Sequence, residues 1–568
     1  MFRKEEKNLK PIIDLIYPNE EKKSKMNERR YRLSNLPEDY ISNLEVSSVS
    51  ELMCPRNQYF CSQILKELCD DEEIIKYRQD ALDDFLNVKT LLPTLYSTIT
   101  DMLTNDRVNI HNIESVQSFT ALNGQIAALD CYIECVDRLH DFYSLNGANI
   151  KSDAITKLFS YFEDIYSSDE YSHIKDCMKE LHKAIDNRVR SVTVAINFDE
   201  EMLPVSAGIV DYSTKPVGVK PSVFDRILYR GAEFPETTVK GKLYTKYIPR
   251  KTVTNDTDIN EIDKALFNEL ERITDRYIRT LADAMATYRK IGFDEIYALE
   301  TQLDFYSGVV RFIEASASRK IEMCRPVILP KDKRYCEIKG LFDVAFYKRI
   351  SAVEHDKTGD EFIVRNDITF DDSASFYILT GANNGGKTTF VRAVGICQLL
   401  SQAGLYAPAR ECKISICDYI YTNFPKEEEV GINSSRFTTE IKEFKEISKT
   451  ITDQSLLLMN ESIQSTTPKE CIEIASELVR IFAIIGARGV FATHLTDIAH
   501  MCDEINKDED VRSKLLSIVM ESDEQTGERK YKIVKGLPTE HSFAKTVFDK
   551  FGIDISYIRK KAKKDERA

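Results

Sequence analysis

The string Gly381-Ala382-Asn383-Asn384-Gly385-Gly386-Lys387-Thr388 limits what this chain can fold into more than any other feature. It fits G-x-x-x-x-G-K-[ST], comes after the apolar run Phe376-Tyr377-Ile378-Leu379, and precedes Phe390-Val391-Arg392, which reads as the start of a helix. Glycines let backbone N–H groups close around a phosphate, and the next helix presents its positive end to it. Lys387 adds a point charge, and the Thr388 hydroxyl suits a magnesium ion. The candidate phosphate-binding set is therefore Gly381, Asn383, Gly385, Gly386, Lys387, Thr388 and Thr389.

Two further apolar runs, Leu456-Leu457-Leu458-Met459 and Gly489-Val490-Phe491-Ala492, alternate with helical stretches, which indicates a parallel sheet covered on both faces. The first ends in Asn460-Glu461, about 70 residues past the glycine loop, where such folds carry a magnesium-steadying residue and then a base. Asn460 keeps an acceptor oxygen but lacks the aspartate charge, so weaker metal holding and slow hydrolysis are expected, with Glu461 as the base. His494, after the second run, either reaches a γ-phosphate or packs as a core residue. Ser434-Ser435-Arg436-Phe437, taken alone, is a polar turn.

In order along the chain, these pieces resemble the MutS family, a branch of the ABC-type ATPases. Thr380 to Thr389 reads TGANNGGKTT, similar to TGPNMGGKST; Ser401 to Ala409 resembles AQIG-FVPA; Asp418 to Asn423 resembles D-x-I-x-T-R; Ser435 to Glu440 resembles S-T-F-x-x-E; Phe491 to His494 is F-A-T-H. The resemblance implies ATP with Mg2+ (metal held by Thr388 and Asn460), catalysis by Glu461 and His494, and a homodimer in which Ser435 caps the partner subunit's ATP. It covers Pro326 to about Ile553 closely and Asn57 to Pro326 more loosely. About 50 residues precede the first core-like helix, which implies a short member lacking the N-terminal mismatch-binding domain. Ser462 to Thr467 departs from the family's Gly-Arg-Gly.

Upstream, Ile74, Tyr77, Ala81 and Phe85 set a helical period, which returns from Leu266 to Tyr288. Between them, Val192, Val194, Ile196 and Phe198 alternate, and glycines and prolines punctuate the stretch from Pro204 to Gly241. From Lys215 to Lys251 stand nine basic and three acidic residues, with Tyr229, Tyr244 and Tyr247 among them, in a chain of net charge -14. Such a patch suits DNA phosphates, with Lys240, Lys242, Lys246, Arg250 and Lys251 as candidate contacts, or is a plain basic β surface. The resemblance makes it a clamp inserted between lever helices.

The expected architecture is multidomain, α plus α/β: an N-terminal segment 1–56, a helical core and lever 57–190, a β-rich clamp-like insertion 191–255, lever helices 256–325, a P-loop ABC-type ATPase domain 326–553 and a charged tail 554–568. Thirteen scattered cysteines without paired spacing, no signal peptide and no long apolar run point to a cytoplasmic chain that spans no membrane. The expected function is an ATP-dependent clamp on duplex or branched DNA that is not a conventional mismatch reader, with a DNA-repair or ribonucleoprotein partner. The alternative is a nucleotide-gated clamp or scaffold on a protein or ribonucleoprotein, with slow ATP hydrolysis.

Overall fold

The structure is a computed structural model that describes residues 13–109, 119–186, 191–213 apart from 199, 201 and 203, 279–288, 294–382, 385–425, 436–522 apart from 465, and 529–538. In chain order the helices are α1 (Glu20–Leu33), α2 (Asp39–Asn43), α3 (Val46–Met53), α4 (Gln58–Lys66), α5 (Glu72–Asn87), α6 (Leu91–Asn109), α7 (Phe119–Asn146), α8 (Asp153–Tyr166), α9 (Asp169–Asp186), α10 (279–288), α11 (Asp294–Ser318), α12 (Val344–Ser351), α13 (Lys387–Gln402), α14 (Arg436–Thr450), α15 (Pro468–Ile485), α16 (Thr496–His500) and α17 (Cys502–Ile505). The strands are β1 (Ser191–Phe198), β2 (Pro204–Ser213), β3 (Val327–Leu329), β4 (Cys336–Leu341), β5 (Asn366–Phe370), β6 (Phe376–Thr380), β7 (Glu411–Ser415), β8 (Ile420–Asn423), β9 (Leu456–Asn460), β10 (Arg488–Ala492), β11 (Leu515–Ser522) and β12 (Arg529–Lys535). The fold class is α plus α/β. Two compact units interleave along the chain: residues 1–97, 145–159 and 295–568 form one, and 98–144 with 160–294 the other.

The second unit is helical and carries the antiparallel β1–β2 pair. Tyr171, Ile174, Met178 and Leu181 make one apolar stripe on α9, and Leu281, Ala284, Met285 and Tyr288 another on α10. Both keep to the three- and four-residue steps of a helix face. Tyr132 of α7 meets the rings of Tyr171 and Tyr288 edge-on, at 6.0 and 5.1 Å.

In the first unit, β8, β9, β10, β6 and β11 lie side by side in parallel, with β12 antiparallel at the edge. Every residue of β6, β9 and β10 is buried, as strands covered on both faces require. A second, mixed sheet has the order β3-β7-β4-β5. The neighbours of β6 are β10 on one side and β11 on the other, so a crevice opens at the carboxyl ends of these strands.

α5 is the helical hub of this unit. Asp71 caps it by accepting from the amides of Glu73 and Ile74, and Glu72 and Glu73 complement the positive end of its dipole. Its buried face includes an arginine. Arg78 is fully enclosed and pairs at 2.8 Å with Glu67, which is equally enclosed and also takes hydrogen bonds from Arg30 and Tyr17. Arg78 further donates to the carbonyl of Ile16 at 3.1 Å and sits 5.0 Å above the Tyr17 ring. Gly404, just past α13, backs directly onto this arginine. Its φ of +78° favours glycine, and a Cβ there would lie 2.5 Å from Arg78 Cβ.

Removing one partner of an enclosed ion pair leaves the other charge without compensation, at a cost of about 3–5 kcal/mol. Glu67→Ala therefore lowers the denaturant midpoint of unfolding strongly, whereas Glu21→Ala, at an exposed i,i+4 pair with Lys25, leaves it nearly unchanged. Equal midpoints for the two variants would remove Glu67 from its structural role.

Candidate functional site

β6 delivers the chain to the crevice at Gly381, where β11 comes so close that a Cβ would stand 2.7 Å from Met520 Cβ. The loop turns back at Gly386, whose φ of +97° is left-handed and favours glycine, and α13 begins at once with Lys387. Asn383 and Asn384 lie outside the described residues. The first amides of α13 have no carbonyl within the helix to receive them, which leaves donors at the crevice.

Lys387 is 3% exposed and bends over its own loop: Nζ donates to the carbonyls of Gly381 at 2.9 Å and Ala382 at 3.2 Å. Burial pushes its ammonium below the usual lysine range, and Glu461 pulls it part of the way back. Strand register then brings the other chemistry to the same level. Ala492 of β10 is opposite Asn460 of β9 on one side and Leu379 of β6 on the other, so the residues after each strand end gather. Thr388 Oγ1 donates to Asn460 Oδ1 at 3.1 Å. Glu461 Oε1 stands 2.6 Å from His494 Nε2 and 3.9 Å from Lys387 Nζ, and Lys387 Nζ is 3.4 Å from His494 Nδ1. An imidazole with its hydrogen on Nε2 meets both contacts, donating to the carboxylate and accepting from the ammonium. The hydrogen bond from His494 holds the Glu461 carboxyl below the usual glutamate range. Glu461 itself has a left-handed φ of 51°, fixed by its amide donating to Ala492 O at 2.7 Å.

Beside this cluster is a cavity of about 850 Å³, within the size range of small-molecule sites. Gly385, Gly386, Lys387, Thr388, Thr389 and Glu461 line one wall; Phe346, Ile350, Phe362, Ile363 and Tyr531 supply apolar and aromatic surface elsewhere. No motif or spacing in the sequence singles out any of the latter. Phe346 and Ile350 ride on α12, capped by Asp343 through the amides of Ala345 and Phe346. Asp343 is enclosed and receives Arg392 Nε of α13 at 2.8 Å, while another nitrogen of Arg392 reaches Glu45. Burial still leaves the Asp343 carboxyl above the usual aspartate range, against the pull of Arg392. Aspartate ahead of an apolar helix was a readable cap signal for α12; nothing local marked Glu45 or Tyr531. Ser435 and the candidate DNA contacts Lys240, Lys242, Lys246, Arg250 and Lys251 lie outside the described residues, as does most of 191–255.

These features describe a class: an α/β sheet with a strand–loop–helix turn, a buried lysine and a carboxylate–imidazole pair at its carboxyl edge. Residues 377–566 match the family model described as MutS domain V, and residues 70–318 match that described as MutS2 N-terminal domain. The chain belongs to the MutS family. It is similar to the DNA mismatch repair protein MutS of Fervidobacterium nodosum, 25% identical over 340 residues, covering 59% of this chain and 37% of that protein. It is also similar to the DNA mismatch repair protein MutS of Chlorobium limicola, 34% identical over 143 residues (25% of this chain, 16% of that protein), and to human MutS protein homolog 4, 30% identical over 146 residues (26% and 16%). The chain thus spans well under half the length of these relatives. No helix among the described residues is long and apolar enough to cross a membrane. All thirteen cysteines are free.

A carboxylate whose folded-state pKa is depressed stabilises the fold above its unfolded value, about 4.3 for glutamate, and that stabilisation is lost as pH falls through the lower folded value. The unfolding midpoint of the parent should therefore exceed that of Glu461→Gln near neutral pH, with the gap closing in acid below that value. A gap that stays constant on acidification would disprove the ionised pairing of Glu461 with His494.

Proposed function

We propose that this chain is an ATP-dependent DNA-binding protein of the MutS type, a homodimeric clamp whose ATP binding and slow hydrolysis control its engagement of duplex or branched DNA. The observation that carries this reading is the meeting of Lys387, the Thr388–Asn460 pair and the Glu461–His494 pair at the carboxyl ends of three parallel strands, beside a cavity with room for a nucleotide. In this reading 326–553 is the P-loop ATPase domain, 57–190 and 256–325 are core and lever, and 191–255 is the clamp. The names of the relatives, DNA mismatch repair proteins, support DNA as the polymer engaged.

Phosphate oxygens are stronger acceptors for Lys387 than the loop carbonyls it now holds, and their charge favours the protonated amine that burial disfavours. Lys387 thus binds and orients the β/γ-phosphates, together with Gly381, Asn383, Gly385, Gly386 and Thr389 of the loop. The oxygens of Thr388 and Asn460 form a donor set suited to Mg2+, which supplies charge neutralisation on the phosphates when bound. Because Asn460 brings no negative charge, that ion is held less firmly than by aspartate. Glu461 accepts the proton of the attacking water, and His494 positions Glu461 and contacts the γ-phosphate. Ser435 completes the site from the partner subunit. The apolar wall of Phe346, Ile350 and Tyr531 offers the base a surface to pack against.

Three measurements test the reading. Lys387→Ala should lose most ATP binding by fluorescent-nucleotide titration while keeping its circular dichroism; unchanged affinity in the folded variant would overturn the site. Glu461→Gln should bind ATP and fail to turn it over. Replacing Lys242, Lys246, Arg250 and Lys251 together should weaken binding to all DNA sequences alike and lower the salt slope by up to about four units. Unchanged slope and affinity would turn the reading to the protein or ribonucleoprotein scaffold.

A further inference from the structure

In the second unit, far along the chain from the nucleotide site, three side chains of different chemistry converge. His173 and Cys177 stand one helical turn apart on α9, flanking its apolar stripe, and Asp283 stands beside the stripe of α10. His173 Nε2 is 2.8 Å from Asp283 Oδ2 and 3.6 Å from Cys177 Sγ, and one ligand atom from each residue lies within 4.8 Å of the others. We propose that His173, Cys177 and Asp283 form a divalent-metal site suited to Zn2+, joining α9 to α10.

The geometry is close to what the ion needs. Usual zinc bond lengths and tetrahedral angles separate sulfur from nitrogen by about 3.6 Å and nitrogen from oxygen by about 3.4 Å. The first distance is met, and the second requires the carboxylate to withdraw by about 0.6 Å, a small rotation for a side chain that is 64% exposed. One nitrogen, one sulfur and one oxygen ligand favour zinc over magnesium or calcium, which take oxygen alone. Three protein ligands leave the fourth position to water. The surroundings are electronegative, since Asp176 precedes Cys177 and Glu180 follows it by three residues on α9, and a cation would offset those carboxylates. Since α9 and α10 are separated by residues 187–278, such an ion would tie together the two chain segments that enter and leave that stretch.

The test uses the full chain in excess Mg2+, so that the nucleotide site does not compete. Zn2+ is titrated against a chromogenic chelator, and Co2+ is added separately to look for a thiolate-to-cobalt charge-transfer band. The expected result is one chelator-competing Zn2+ per chain, weakened at least about ten-fold in each of Cys177→Ser, His173→Gln and Asp283→Asn. Cys131→Ser should leave it unchanged. Cys177→His should keep Zn2+ while losing the cobalt–thiolate band, which separates loss of a ligand from loss of the fold. Failure of the parent to hold Zn2+ against the chelator, or undiminished binding in the three ligand variants, would overturn the proposal and leave a surface His173–Asp283 ion pair beside a thiol.

Discussion

One enclosed carboxylate organises the first unit. Glu67, with no solvent exposure, accepts hydrogen bonds from Tyr17, Arg30 and Arg78, drawn from the segment before α1, from α1 and from α5. A buried charge is tolerated only when paired and hydrogen-bonded, so none of these contacts is optional once the others form. Arg78 carries the constraint onward through the carbonyls of Ile16 and Ala403, at 3.1 and 3.4 Å. Nearby, Arg29 of α1 bridges Leu68 O and Asp418 O, and Gln402 at the end of α13 donates to the carbonyls of Cys69 and Cys417. Helices from the first hundred residues and the sheet three hundred residues later are therefore stitched by donors whose burial makes them costly to leave unpaired.

The candidate site obeys the same logic of burial at shorter range. A lysine at the foot of a helix, 3% exposed, has to satisfy its ammonium, and it does so with two loop carbonyls and the His494–Glu461 pair. The left-handed backbone of Glu461 aims that carboxylate across the crevice instead of along β9. The cavity wall opposite is set by Asp343, which serves α12 as a cap and Arg392 as an anion at once.

Much of this was legible in the sequence because it is local. The apolar runs at 376–379, 456–459 and 489–492 lie in β6, β9 and β10, and the residues just past each run are the ones whose chemistry stands out. Parallel pairing gathers strand ends on one edge, so the local runs bring Lys387, Thr388, Asn460 and Glu461 together, whereas the residues alone left His494 open between a γ-phosphate contact and a core position, and its catalytic role came from the family resemblance. Glu45 and Asp343 are 347 and 49 residues from the Arg392 they bind, and no periodicity or spacing encodes such a pairing. Tyr531 belongs to a strand whose exposure pattern lacks the alternation that would mark an inward face. Likewise, residues 1–56 were read only as an N-terminal segment, although Leu15, Ile16, Leu44 and Met53 are fully buried.

The close seating of Gly404 against Arg78 has a mechanical consequence. α13 is a single helix of 16 residues, about 24 Å long, with the glycine loop at one end and Gly404 at the other. Folded interiors compress little, and there is no void at the far end: even one added methyl group would intrude on Arg78. The end of α13 is therefore seated on α5 at the closest spacing two backbones allow: any residue larger than glycine at 404 has to displace Arg78 or lift the helix end away from Ile75.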